Sequence, residues 1–123
     1  MIEGFEVTVD TVKKHMKDGD SLFFVNLRHH RDWDTAIYKA RGALCMPDDE
    51  VEQHLDEILH ERTIVIYSIC PGDESSIRAA QLLQQHGFKD VHPLIGGFNA
   101  YLQAGLPVEE IDERGLARKM MWL

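Results

Sequence analysis

Thr63-Ile64-Val65-Ile66-Tyr67-Ser68-Ile69, then Cys70, then Pro71-Gly72-Asp73-Glu74-Ser75-Ser76, is the stretch whose reading decides the architecture. The run from Thr63 to Ile69 is uncharged and rich in β-branched side chains, the pattern of a strand covered on both faces. A polar loop of six residues, 71–76, follows Cys70, and the spacing then predicts a helix from about Ser75 to His86. Gly72 lets the loop curl, and Asp73, Ser75 or Ser76 is placed to cap the helix. Gly87 takes the C′ position of that helix, with Phe88 packing back on it.

Working outward, the same alternation of strand and helix recurs. Thr8 is the N-cap of a first helix, with Val7 and Val12 as its hydrophobic staple and Val9, Val12 and Met16 along one face. Ser21 to Leu27 reads as a buried strand, and Arg28-His29-His30-Arg31-Asp32-Trp33-Asp34 as a loop. Gly42 to Met46 is a further buried strand, after which Val51, Leu55, Ile58 and Leu59 fall on one helical face. Val91 to Ile95 is a fourth strand, and Gly96-Gly97 opens a short helix ending near Gly105. The order predicts an α/β fold: a single, doubly wound, mainly parallel sheet with helices on both faces, spanning residues 1–111. Residues 112–123 form a C-terminal tail too apolar for a disordered end, read as a short helix packing on the domain or on a neighbour in a homodimer.

Composition narrows the function. The 123 residues fit one domain with a real core. Thirteen Lys and Arg against 21 Asp and Glu give a net charge of −8, which argues against a nucleic-acid partner and against free anionic substrates. No apolar run spans a bilayer and the start resembles no signal peptide, so a cytoplasmic protein with no membrane partner is expected. The two cysteines, Cys45 and Cys70, are too few for a disulfide framework and sit in no zinc spacing. His15, His54, His60, His86 and His92 are scattered, and no metal site is expected.

Ligands of open parallel sheets bind at the carboxyl ends of the strands, where Cys70 falls by sequence. Loop N–H groups and the positive end of the following helix would stabilise a thiolate there, the nucleophilic form. Spacing alone leaves a second reading open, in which Cys70 merely ends a buried strand. The spacing argues against a phosphatase of the Cys-x5-Arg type, because Ser76 holds the arginine's place and Arg78 comes too late.

Across residues 7 to 109 the local signatures resemble the rhodanese-like family. Asn26-Leu27-Arg28 stands where that family has Asp-x-Arg, and Lys39-Ala40-Arg41-Gly42-Ala43 where it has Gly-His-Ile-Pro-Gly-Ala. Cys70, the loop Pro71 to Ser76 and Ala79-Ala80-Gln81-Leu82-Leu83 match the catalytic cysteine, loop and helix without a gap. Leu94 to Tyr101 resembles Leu-x-Gly-Gly-x-x-Ala-Trp, and Gly105-Leu106-Pro107-Val108 completes the set. The resemblance implies a sulfurtransferase or persulfide carrier. Its Cys70 thiolate takes a sulfane sulfur from a donor and passes it to a thiol or other nucleophile. Pro71, Gly72, Asp73, Glu74, Ser75 and Ser76 would be the substrate-binding residues, their N–H groups holding the persulfide's charge. No cofactor is implied, and the partners would be a sulfur donor and a thiol acceptor.

Several departures shape that expectation. Asp73 and Glu74, with no Lys or Arg in the loop, would repel thiosulfate and favour a protein-bound or low-charge donor. Ser68 follows Tyr67 where the family commonly has cysteine; that register would describe a silent module binding a protein partner. The ungapped register through Cys70 is preferred because it keeps the cysteine-to-helix spacing. Arg28 is read first as structural and second, with His29 and His30, as an accessory candidate; His29, His30 and Arg31 would supply positive charge or a proton. Trp33 either walls the pocket or packs. Cys45 is first a plain buried cysteine and second a thiol resolving a persulfide at Cys70.

Overall fold

The computed structural model describes residues 4–28, 38–59, 61–68 and 74–110. Strands β1 (Leu22–Arg28), β3 (Leu44–Pro47), β4 (Thr63–Ser68) and β5 (Val91–Pro93) form one parallel sheet in the order β3-β1-β4-β5. Beyond β5, Val7 pairs in parallel with Leu94: its N–H donates to the Pro93 carbonyl at 2.9 Å and its carbonyl accepts from Ile95 at 2.8 Å. Two further strands missed in the sequence, β2 (Tyr38–Ala40) and β6 (Val108–Glu110), make a small antiparallel sheet. At three residues each they are too short to show a periodic pattern.

Strand alternation sorts the core into two layers. Phe24, Val65 and Tyr67 face one side, where α1 (Val9–Lys17) and α3 (Gly97–Gln103) contribute Val12, Phe98 and Tyr101. Val25, Leu27, Ile64 and Ile66 face the other, against Ala79, Ala80 and Leu83 of α2 (Glu74–Gln85). Helices therefore cover both faces, as expected from the uncharged strands. No helix among the described residues is long and apolar enough to cross a membrane. The tail at 112–123 lies outside the described residues.

The helix ends follow local chemistry. Thr8 caps α1, its Oγ1 accepting the Thr11 N–H at 3.3 Å, and the staple residues Val7 and Val12 are both buried in one cluster. At the end of α2, Phe88 N–H donates to the Leu83 carbonyl (3.0 Å) and Gly87 N–H to the Gln84 carbonyl (3.1 Å). That is a Schellman closure, with Gly87 at φ +93 and Phe88 buried beside Leu83.

One element departs from expectation. Residues Val51–Glu57 form a 3₁₀ segment broken at His54 (φ −117, ψ 16), not one α-helical face. No side chain caps its start at Glu50, and the departure from helical φ/ψ at His54 interrupts the run. Val51 and Ile58 are buried, but Leu59 is 43% exposed.

Two contacts tie the layers together. Tyr67, fully buried, accepts the Ala40 N–H at 2.9 Å and so joins β4 to β2. Its ring stacks on Phe98 (centroids 5.3 Å, 16°), which stacks in turn on Tyr101 (6.0 Å, 14°). The Tyr101 hydroxyl donates to the Pro107 carbonyl. The second contact is a close approach: Gly97 has φ +59, and a Cβ there would lie 2.5 Å from the Ser68 carbonyl oxygen. The start of α3 can sit against the end of β4 only with glycine at 97.

Tyr67→Phe should cost about 1–3 kcal/mol by leaving a buried N–H without its acceptor, read as a lower denaturation midpoint with faster amide exchange at Ala40. Gly97→Ala should cost about 3 kcal/mol, from the left-handed φ together with overpacking against backbone, measurable in the same assay. Burial pushes Tyr67 well above its ordinary 10.0 and Tyr101 up to about 12. The unfolded chain therefore loses these protons first, so stability should fall as pH rises through 10.0 toward about 12. Denaturation midpoints that stay level across that range would contradict the burial of the phenols.

Candidate functional site

Because the sheet is parallel, β1, β3 and β4 all end on one edge, at Arg28, Pro47 and Ser68. Arg28 does not begin a loop, as the sequence suggested. It is the last residue of β1, opposite Pro47 and fully buried. Its parity along the strand explains the burial: with Phe24 and Asn26 it faces the layer that holds Tyr67.

Cys70, Pro71, Gly72 and Asp73 lie outside the described residues, as do His29, His30 and Trp33. What flanks Cys70 in the chain is described. On one side β4 ends at Ser68, and on the other α2 begins at Glu74. Glu74, Ser75 and Ser76, expected in a six-residue loop, are instead the first turn of α2, so neither serine caps the helix. Helix formation extends back to Glu74 because an acidic side chain suits the positive end of the helix dipole. Ser76 is buried, and the Ser75 hydroxyl reaches Asp48 Oδ2 at 3.5 Å, linking α2 to the residues after β3. Beside this turn lies a groove of about 240 Å³ whose lining includes Asp48, Asp49, Ser75 and Arg78.

The described residues with the most unusual chemistry gather around Cys45. Cys45 lies within β3 and is half-buried. The register sets Asn26 opposite Cys45 on one side and opposite Tyr67 on the other. Asn26 is fully buried, and neither its amide nitrogen nor its amide oxygen has a nitrogen or oxygen partner. Burial pushes the Cys45 thiol above its ordinary value. The charges of Lys39 and Arg28 and hydrogen bonds from Arg28 and Asn26 oppose that shift. Lys39 is itself nearly buried; its Nζ donates to the Ala43 carbonyl at 2.6 Å and pairs with Glu109 Oε1 at 3.3 Å. Glu109 Oε1 also accepts the Gly42 N–H at 3.0 Å. The small β2–β6 sheet thus carries a cation to the edge of the site.

Of the accessory candidates, the structure brings Arg28 and Cys45 together. Sequence reasoning missed Lys39, Glu109 and the place of Asn26 beside Cys45. A polar residue inside the apolar run Leu22–Arg28 is the one signal that marks position 26. No group of three or more His, Cys, Asp or Glu able to hold a metal occurs among the described residues.

Comparison with known proteins agrees with this architecture. A sequence profile described as "Rhodanese-like domain" matches residues 8–104. A rhodanese-like domain from Anabaena superposes with a TM-score of 0.72 at 26% identity, covering 89% of this chain and 82% of that one. A Lactobacillus plantarum protein superposes at 0.75 with 21% identity, over 87% and 88%. Among curated proteins, one named tRNA uridine(34) hydroxylase from Yersinia pestis is 27% identical over 118 residues, 89% of this chain but 32% of its own. One of the same name from Hamiltonella defensa is 30% identical over 98 residues, 75% of this chain and 26% of its own. The chain therefore spans about a third or less of the length of these curated relatives. With its parallel sheet, its covered faces and a profile match across most of its length, the chain belongs to the rhodanese-like domain family.

Proposed function

We propose that the protein is a sulfurtransferase or persulfide carrier in which Cys70 accepts a sulfane sulfur. The observation that carries this reading is the place of Cys70 in the chain. It stands two residues past the end of β4 and shortly before Glu74, where α2 begins. A helix directs its first-turn N–H groups and the positive end of its dipole toward the residues that precede it. Those residues include Cys70, and a thiolate or persulfide anion gains from that field.

The transfer balances without a cofactor. The Cys70 thiolate attacks the outer sulfur of a donor persulfide, a new S–S bond forms at Cys70, and the donor leaves as a thiolate. An acceptor thiolate then takes the same sulfur and Cys70 is regenerated. Glu74 in the first turn of α2, with Asp73 before it, works against a doubly charged donor such as thiosulfate. A persulfide donor of low charge or one bound to protein fits better, in a reducing compartment such as the cytoplasm. The acceptor would be a thiol or another nucleophile.

The curated relatives are named for hydroxylation of a tRNA uridine, and this chain matches about a third of their length. A net charge of −8 weighs against tRNA binding by this chain alone. Ser68 and the acidic pair Asp73 and Glu74 favour one rival, a silent module that binds a protein partner.

Mass spectrometry of reduced protein incubated with a low-molecular-weight persulfide, or separately with thiosulfate, tests the reading. A one-sulfur adduct on Cys70, absent in Cys70→Ser, discharged by a thiol and formed faster from the persulfide, is expected. Folded protein whose Cys70 stays unmodified with every donor would favour the silent module.

A further inference from the structure

We infer that Cys45 is a second sulfur-accepting position, where a persulfide anion is held by Arg28, Lys39 and the amide of Asn26. The inference stands apart from the reading of Cys70, since every residue it uses lies on β1, β2 or β3.

Three observations meet at this thiol. It is half-buried, neither sealed in the core nor fully open to solvent. Two cations act on its sulfur, Arg28 and Lys39, both held inside the fold. Asn26 lies opposite it in the ladder, buried, its amide facing the sulfur and bonded to no nitrogen or oxygen. A buried amide without such a partner is destabilising by about 1–3 kcal/mol. An anionic sulfur one bond longer than the thiolate would give it a charge-assisted partner.

Burial outweighs these groups at the thiol itself and keeps it protonated above its ordinary range. A persulfide is a stronger acid than its parent thiol, so the added sulfur ionises where the thiol does not. The site therefore favours the modified over the unmodified cysteine. In the transfer, the minor thiolate of Cys45 attacks the outer sulfur of a low-molecular-weight persulfide. The new bond joins Cys45 Sγ to that sulfur, the donor's S–S bond breaks, and the departing thiolate takes up the proton Cys45 gave. No net oxidation occurs.

The test uses the full chain with Cys70→Ser, incubated with glutathione persulfide, trapped by alkylation and read by peptide mass spectrometry. A one-sulfur increment on the Cys45 peptide is expected, and its lifetime against a reducing thiol should exceed that in the urea-unfolded chain by about tenfold, the worth of one hydrogen bond to a charged group. Asn26→Leu, checked for folding by its denaturation curve, should lose that protection. The unfolded chain serves as reference even if this variant does not fold. An unmodified Cys45 in the folded protein, or an adduct no longer-lived than in urea, overturns the inference. Cys45→Ser run in parallel reports on Cys70 alone, so failure at one cysteine is separable from failure at the other.

Discussion

The pairing register of β1 is the constraint from which the rest follows. This strand lies between β3 and β4, and its ladder with each decides which side chains meet across the sheet. Because Asn26 stands opposite both Cys45 and Tyr67, a polar layer crosses the sheet near its carboxyl end, just beyond the apolar rows. A slip of one residue would send Phe24, Asn26 and Arg28 to the α2 side and Val25 and Leu27 to the other, so neither face would match its cover. The register is held by the apolar alternation and needs no polar contact to set it.

Around that layer the fold is closed by short elements. Tyr67 reaches across to Ala40 and binds β2 to the main sheet, while Lys39 reaches to Ala43 and to Glu109, binding β6 to β2. The Gly97 approach to Ser68 fixes α3 against the strand that leads to Cys70. The region before Cys70 is thus held twice by α3, through the Gly97 backbone contact and through the Phe98 and Tyr101 rings stacked on Tyr67. Such support suits a site whose chemistry needs a fixed direction of attack.

Much of this was legible in the residues. Uncharged, β-branched strands announced a sheet covered on both faces, and Thr8, Gly87 and Phe88 marked helix ends by local rules that tertiary context did not override. Where the reading failed, the information was not local. Arg28 looked like the start of a polar loop because its burial depends on neighbours from β3, and Lys39 and Glu109 lie 70 positions apart in number yet form one cross-strand pair. The 3₁₀ segment kept an apolar pattern that suits an α-helix, but the backbone leaves helical geometry at His54. At the site, the thiol at 70 was picked out by its place after a strand, whereas the cluster at Cys45 becomes visible only when the register is known.

The way the domain's first and last described segments attach has a mechanical consequence. Val7 is joined to the sheet edge by a single bridge, supported nearby by His92, whose ring nitrogens face the Phe5 carbonyl (2.9 Å) and Asp90 Oδ1 (2.6 Å). The last strand, β6, is held by a three-residue ladder to β2. Tension applied along the chain from both sides would load these two peripheral seams first. They would yield like a fuse, peeling away one bond at a time, while the four-stranded sheet and its strand ends carried little of the force.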